Sequence, residues 1–449
     1  MAAERSLAEQ SFIEKDLCTM FAPDFLRKTA AETGLIKRER KIDAVIIFWV
    51  LVLSFGVRLQ RSLASLKRSY EKEAHEKLSD SSWYYRFTPE LVEFLKACVL
   101  HGIEYLAQEQ SYNLNKKLFQ FRDVLIQDST IVRLHSSLAK LYPAARSKGE
   151  AAGLKIAVLV SAVGNTPESV AIHNERTNEL KTIKVGPWIK GKILLIDLGF
   201  YKYQLFARIA ENGGFLVSRL KDNSNPLIIK ANRSWRGQSI DVCGAYLQDV
   251  LPKLKRQILD VEIEVSFKRR AYNAVKRPDT HRFRLVAIYN DEDEKYHTYI
   301  TNINSDILEP EDIGKLYGAR WDIELMFKEL KSRYALDALD TKNPLIIEAL
   351  IWVAILTLLV SRRTYFNVRK IHPGKNIVRF TQLRWSIIFA ENADDQLTLI
   401  LRYLGITRTW ETIAGVYDIQ ALDPHGLTDD RWIAGILAFW RPRHPKEWP

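Results

Sequence analysis

Two kinds of apolar patterning divide this chain. From residue 1 to about 110 the apolar runs are long and helix-like, as in AVIIFWVLVLSFGV (44–57) and at 91–106, with charged connections such as IKRERK (36–41). Within this part, RSLASLKRSYEKEAHEKLSDSSWYYRF predicts two short helices with a turn near Ser79–Ser82, the second carrying Trp83, Tyr84, Tyr85 and Arg86. A helix-turn-helix reader of DNA fits that pattern, and so does any helical hairpin.

From about 120 the pattern turns to short β-branched runs: FRDVLIQDSTIVRL (121–134), GLKIAVLVSAVG (153–164) and PESVAIHN (167–174). The buried-looking strand GKILLIDLGF (191–200) precedes a helical YKYQLFARIAENGG and the strand FLVSRLK (215–221). Strand, helix, strand predicts parallel pairing with helices on the sheet faces. Residues 222–305 interrupt the alternation with LDVEIEVSFKRRAY, RFRLVAIYN and YHTYITNI, which read as antiparallel strands. Helices resume at Pro310, and the tail FWRPRHPKEWP (439–449) reads as extended. The expected organisation is a helical DNA-binding region (1–115), an α/β core in two parts (116–221 and 306–365), a β-rich insertion (222–305) and a helical C-terminal region (366–449) for dimerisation or DNA contact.

Composition narrows the class. With 449 residues, 47% of them hydrophobic, the chain has ample material for more than one folded region and does not read as disordered. Basic residues exceed acidic ones by 12 and the pI is about 9.3, which favours a polyanionic partner. Three scattered cysteines, Cys18, Cys98 and Cys243, form no metal-type cluster and point to a reducing interior; no signal peptide is expected. Residues 44–57 are too short to span a membrane, and PLIIEALIWVAILTLLV (344–360) carries Glu348, so both read as buried helices and no membrane partner is expected.

The candidate chemistry lies in YGARWDIELMFKELK (317–331). Pro310, Glu311 and Asp312 make a good helix start. On one continuous helix, Tyr317, Arg320, Glu324 and Lys331 share a side with Lys328 and Trp321, while Leu316, Ile323, Met326, Phe327 and Leu330 form the apolar stripe. Taken alone, Arg320–Glu324 and Glu324–Lys328 are i,i+4 pairs of a solvated helix, each worth a few tenths of a kcal/mol. Two further acids change the picture. Asp128 continues the strand face of Val124 and Ile126, and Asp197 ends the apolar run ILLI, where a carboxylate needs a partner, a metal or exposure.

Tyr317, Arg320, Glu324 and Lys331 fit, without a gap, the spacing Tyr, two residues, Arg, three residues, Glu, six residues, Lys; with LIQDST around Asp128 and LLIDLGF around Asp197, the chain resembles the IS4 family of DDE transposases, the Tn5- and Tn10-like group. The resemblance covers about 120–340. It implies an RNase H-like catalytic core with a β-rich insertion and cut-and-paste DNA transposition. Asp128, Asp197 and Glu324 would be catalytic ligands of two Mg2+ ions, with Mn2+ as a substitute. Tyr317, Arg320 and Lys331 would grip phosphates, with Lys328 and Trp321 beside them; Arg219, Lys221, Arg269 and Arg270 are further candidates. In the Tn5 relative an insertion-strand Trp stacks on a flipped base; here Tyr296, His297 or Tyr299 stands in its place. The implied partners are double-stranded DNA (terminal inverted repeats and target) and a second copy of the chain, in a prokaryotic cytoplasm near the nucleoid. A resolvase-type nuclease and a catalytically silent DNA-binding descendant share some of these features.

Overall fold

The computed structural model describes residues 12–38, 41–55, 57, 62–107, 116–145, 151–162, 164, 166–235, 238, 239, 241–269, 277–334, 336, 339, 341–371 and 382–406. The expected tail at 439–449 and Arg270 lie outside these residues.

Among the described residues six helices come first: α1 (Phe12–Met20), α2 (Pro23–Glu32), α3 (Ala44–Ser54), α4 (Leu63–Ala74), α5 (Asp80–Tyr84) and α6 (Pro89–Ala107). Asp43 starts α3 by accepting from the Val45 and Ile46 amides, and every residue of α3 is buried. The expected hairpin at 61–87 is corrected here. Ser79 caps the second helix instead of lying in the turn, and α5 has only five residues. Trp83 is buried against Tyr70 and Phe87. One and a half turns with Trp83 in the core is too short for a groove-reading helix, although Tyr84 and Tyr85 are exposed.

The core is a nine-stranded sheet made of β1 (Val124–Leu134), β2 (Ala152–Ser161), β3 (Thr166–Asn174), β4 (Ile193–Ile196), β5 (Phe215–Arg219), β6 (Leu227–Ala231), β7 (Ile258–Lys268), β8 (Pro278–Asn290) and β9 (Lys295–Thr301). Their spatial order is β3-β2-β1-β4-β5-β9-β8-β7-β6. β1, β4 and β5 are mutually parallel, as the β4–helix–β5 pattern predicted, with α7 (Tyr203–Glu211) as the crossover. The expected insertion is strand-rich and antiparallel, and it does not stand apart: β9 pairs with β5, so β6, β7, β8 and β9 extend the same sheet, while Ser234–Trp235 and Gln238–Ser239 pair in a small sheet of their own.

Beyond the insertion come α8 (Pro310–Gly318), α9 (Trp321–Ser332), α10 (Pro344–Ile371), α11 (Gln382–Glu391) and α12 (Ala393–Tyr403). The single helix expected from Pro310 is broken. The amides of Ala319, Arg320, Asp322 and Ile323 bond three residues back, a tight turn separating α8 from α9. α10 is long and apolar enough to cross a membrane, yet 83% of its most apolar window is buried within the protein. Thr357 donates to the Val52 carbonyl (2.7 Å), and Arg363 pairs with Asp16. The helical start of the chain and α10 therefore share one core, continuous with the α9 side of the sheet. The boundary drawn at 365 is corrected accordingly, because it falls inside the unbroken helix α10.

Candidate active site

Strand parity and register place the two aspartates. Val124, Ile126 and Val132 of β1, with Ile193 and Leu195 of β4, pack on the face covered by α9; Leu125, Leu194 and Ile196 pack on the other. Asp128 and Asp197 have the parity of the first set. The parallel ladder runs to Gln127 opposite Ile196 and stops, so each aspartate is the next residue on neighbouring strands, about 5 Å apart in the sheet. Asp128 is mid-strand, whereas Asp197 starts a short turn and accepts from the Gly199 amide at 3.4 Å.

Glu324 arrives from above. Ile323, Met326, Phe327 and Leu330 of α9 are buried, as the apolar stripe required, leaving Glu324 at the border. The break before α9 aims Arg320 into the same space. Its Nη2 lies 2.7 Å from Glu324 Oε1, Nη1 lies 3.8 Å from Asp128 Oδ2, and Nε lies 3.9 Å from Asp197 Oδ1. Three carboxylates, from two strands and a helix, thus surround one guanidinium. Burial pushes the Asp128 carboxyl up to about 6; the Ser129 amide and Arg320 pull it down, while Asp197 and Glu179 add to the rise.

Among the described residues no three metal-capable side chains stand close enough to hold an ion as they are, because a cation already sits between these three. The donor set fits a divalent metal all the same. It consists of hard carboxylate oxygens around one positive centre, and the buried Arg320 Nε lacks a hydrogen-bond partner.

The other expected contacts divide. Tyr317 lies 5.8 Å from the Arg320 guanidinium carbon, and burial pushes its phenol up to about 12. Arg219 belongs to the same wall: its charge acts on Tyr317 and Tyr299, and its Nε is buried without a hydrogen-bond partner. Trp321 and Lys328 are exposed on α9, and Lys331 is half-buried. The strand residues named for the base and the remaining basic candidates are engaged within the protein. Tyr299 is buried beneath α8 with its ring 5.4 Å from that of Tyr317, so no base can stack on it. His297 lies two residues nearer the β8–β9 turn and bonds Asp293 at 2.7 Å. Tyr296 is packed against Tyr289 with its hydroxyl bonded to the Arg256 carbonyl. Lys221 stands over the Tyr201 ring (5.3 Å), and Arg269 is paired with Glu211 and Asp279.

Sequence reasoning missed Glu179, which bonds Ser129 and Lys155 beside the aspartates. The signal was Lys155 itself, a lone charge in the run GLKIAVLV, which must find a partner once buried.

A family model described as the transposase DDE domain matches residues 119–360. The transposase for insertion sequence element IS231F of Bacillus thuringiensis subsp. israelensis is 23% identical over 397 residues, covering 81% of each chain. The transposase for insertion sequence element IS1151 of Clostridium perfringens is 21% identical over 388 residues, covering 80% of this chain and 82% of that one. A solved piggyBac transposase synaptic complex with hairpin DNA matches with a TM-score of 0.45 and 12% identity, over 90% of this chain and 84% of that one.

Proposed function

The chain belongs to the transposase DDE-domain family and is a DNA transposase, and we propose that it moves an insertion sequence by cut-and-paste transposition from an RNase H-like core. The order β3-β2-β1-β4-β5, with β2 antiparallel and β1, β4 and β5 parallel, supports that core. The single observation that carries the reading is the convergence of Asp128, Asp197 and Glu324 on one cation position.

In this reading the three carboxylates hold divalent metal, two Mg2+ ions by proposal, with Mn2+ as a substitute. Bound metal supplies an activated water and neutralises charge on the attacking and leaving oxygens. Water attacks the scissile phosphodiester at each element end and the P–O3′ bond breaks, leaving a 5′-phosphate and a free 3′-hydroxyl; that hydroxyl then attacks a phosphodiester of the target, forming a new 3′-O–P bond as the target's P–O3′ bond breaks and leaves a target 3′-hydroxyl. Arg320 leaves the acids to take a phosphate through its planar fork, with the Tyr317 hydroxyl, Lys331 and Arg219 beside it. Lys328 and Trp321 extend that contact along the exposed side of α9. Two ends must be held together, so the working form is a dimer on two DNA ends, acting near the bacterial nucleoid.

The test is incubation of the whole chain with Mg2+ and a duplex carrying the element's own end. Nicking at the end is expected, and Glu324→Gln is expected to lose it while still binding the duplex. Undiminished nicking by Glu324→Gln overturns the assignment, and cutting confined to branched DNA moves the activity to the resolvases.

A further inference from the structure

We infer that Lys155, Glu179 and Ser129 form a clamp that fixes the separation of Asp128 and Asp197, making Glu179 a positioning residue for metal binding. The inference rests on the proposed metal role of the two aspartates.

The ladder between β1 and β4 ends at Gln127 and Ile196, so no backbone bond between those strands sets the spacing of the residues that follow. Glu179, in the connection between β3 and β4, stands at that gap. Its Oε2 accepts from Ser129 Oγ (2.9 Å), the residue after Asp128, and the Ser129 amide donates to Asp128 Oδ1 (2.7 Å). On its other side Glu179 meets the turn after β4. A Cβ built on Gly199 would lie 3.3 Å from Glu179 Cγ and 3.9 Å from Asp197 Oδ2, so the acid packs against the turn that Asp197 starts.

Lys155 anchors the clamp from β2. Its Nζ donates to Glu179 Oε1 (2.7 Å) and to the Thr177 carbonyl (2.7 Å), with only 5% of the residue exposed. Ser129 and Lys155 have the strand parity opposite to Asp128, so the clamp grips the strands from the face away from α9. Both Glu179 oxygens are engaged by Ser129 and Lys155. The residue therefore positions the acids and is not a fourth ligand. Partners one shell out from a metal commonly change its affinity by about 10- to 100-fold.

The experiment titrates Mn2+ into the whole chain and reads free Mn2+ by electron paramagnetic resonance, beside thermal melting and metal-free binding to the element's end. Glu179→Ala is expected to weaken Mn2+ binding by about tenfold or more, leaving DNA binding unchanged, with excess Mn2+ restoring nicking. Glu179→Gln, which keeps a partner for both Ser129 and Lys155, is expected to recover most of the affinity. Ser129→Ala is expected to shift affinity in the same direction; because it removes one hydroxyl only, it decides the matter if Glu179→Ala does not fold. A lowered melting temperature with unchanged Mn2+ affinity overturns the clamp, and so does a Gln variant as weak as the Ala variant. Asp128→Asn is the separate control: Mn2+ binding like the parent chain would sink the metal reading itself.

Discussion

At the scale of single residues, the site is built against stability. Asp128 is held up at about 6 chiefly because burial disfavours its charge, and the neighbouring Asp197 and Glu179 charges add to this, against the Ser129 amide and Arg320. Between about pH 4 and 6 the folded protein therefore binds a proton that the unfolded chain has released. Stability falls as pH rises through that window, and above it the whole penalty stands. Asp128→Asn removes the penalty while its Oδ1 can still accept from the Ser129 amide. Metal-free Asp128→Asn is thus expected to be more stable than the parent at pH 7.5, by at most about 3 kcal/mol. The gain should vanish near pH 4. Urea unfolding at the two pH values checks it; a gain that persists at pH 4 would mean the carboxylate is not strained by burial.

At the scale of elements, what the sequence disclosed follows from periodicity. Strand parity along VLIQD put Asp128 on the face of Val124 and Ile126, the unbroken run ILLI put the Asp197 carboxylate at a strand end, and the stripe Ile323–Met326–Phe327–Leu330 put Glu324 at its edge. Three things were not legible. The break at 319–320 has only Gly318 as a local signal, and the three-residue-back bonding that turns Arg320 inward is decided by what α8 and α9 each pack on. Glu179 is ordinary in sequence and becomes special through partners 50 and 24 residues away. The insertion reads as a separate unit because nothing local announces that β9 will pair with β5. What ties that insertion to the site is Arg284, buried with Asp260 (2.7 and 2.9 Å) and donating to the Leu308 carbonyl (2.7 Å) just before α8. Arg284→Met would strand a buried carboxylate and free the entry to α8. A loss of about 3–5 kcal/mol is expected in chemical unfolding, and an unchanged midpoint would show that Asp260 finds other compensation.

At the scale of the whole molecule, one core joins the helical start of the chain, α10 and the α9 face of the sheet. The buried pair Glu329–Arg362 (2.5 Å), with the Tyr334 hydroxyl on Glu329 (2.9 Å), links α9 to α10 directly. Glu324 is thereby carried on a helix tied into the shared core. The excess of 12 basic residues is a property of the chain as a whole, and near the acids it is represented by Arg320 and Arg219 rather than by a dense basic cluster. Such a distribution meets a duplex through many separated phosphate contacts, each releasing a counterion, so affinity should depend on salt more than on any one lysine. With about six phosphates neutralised, metal-free binding to the element's end should weaken by about a thousandfold between 50 and 200 mM salt. Fluorescence anisotropy across that range measures the slope. A loss below tenfold would mean that the excess charge lies away from the DNA, and that the polyanion expected from composition is met only at the site itself.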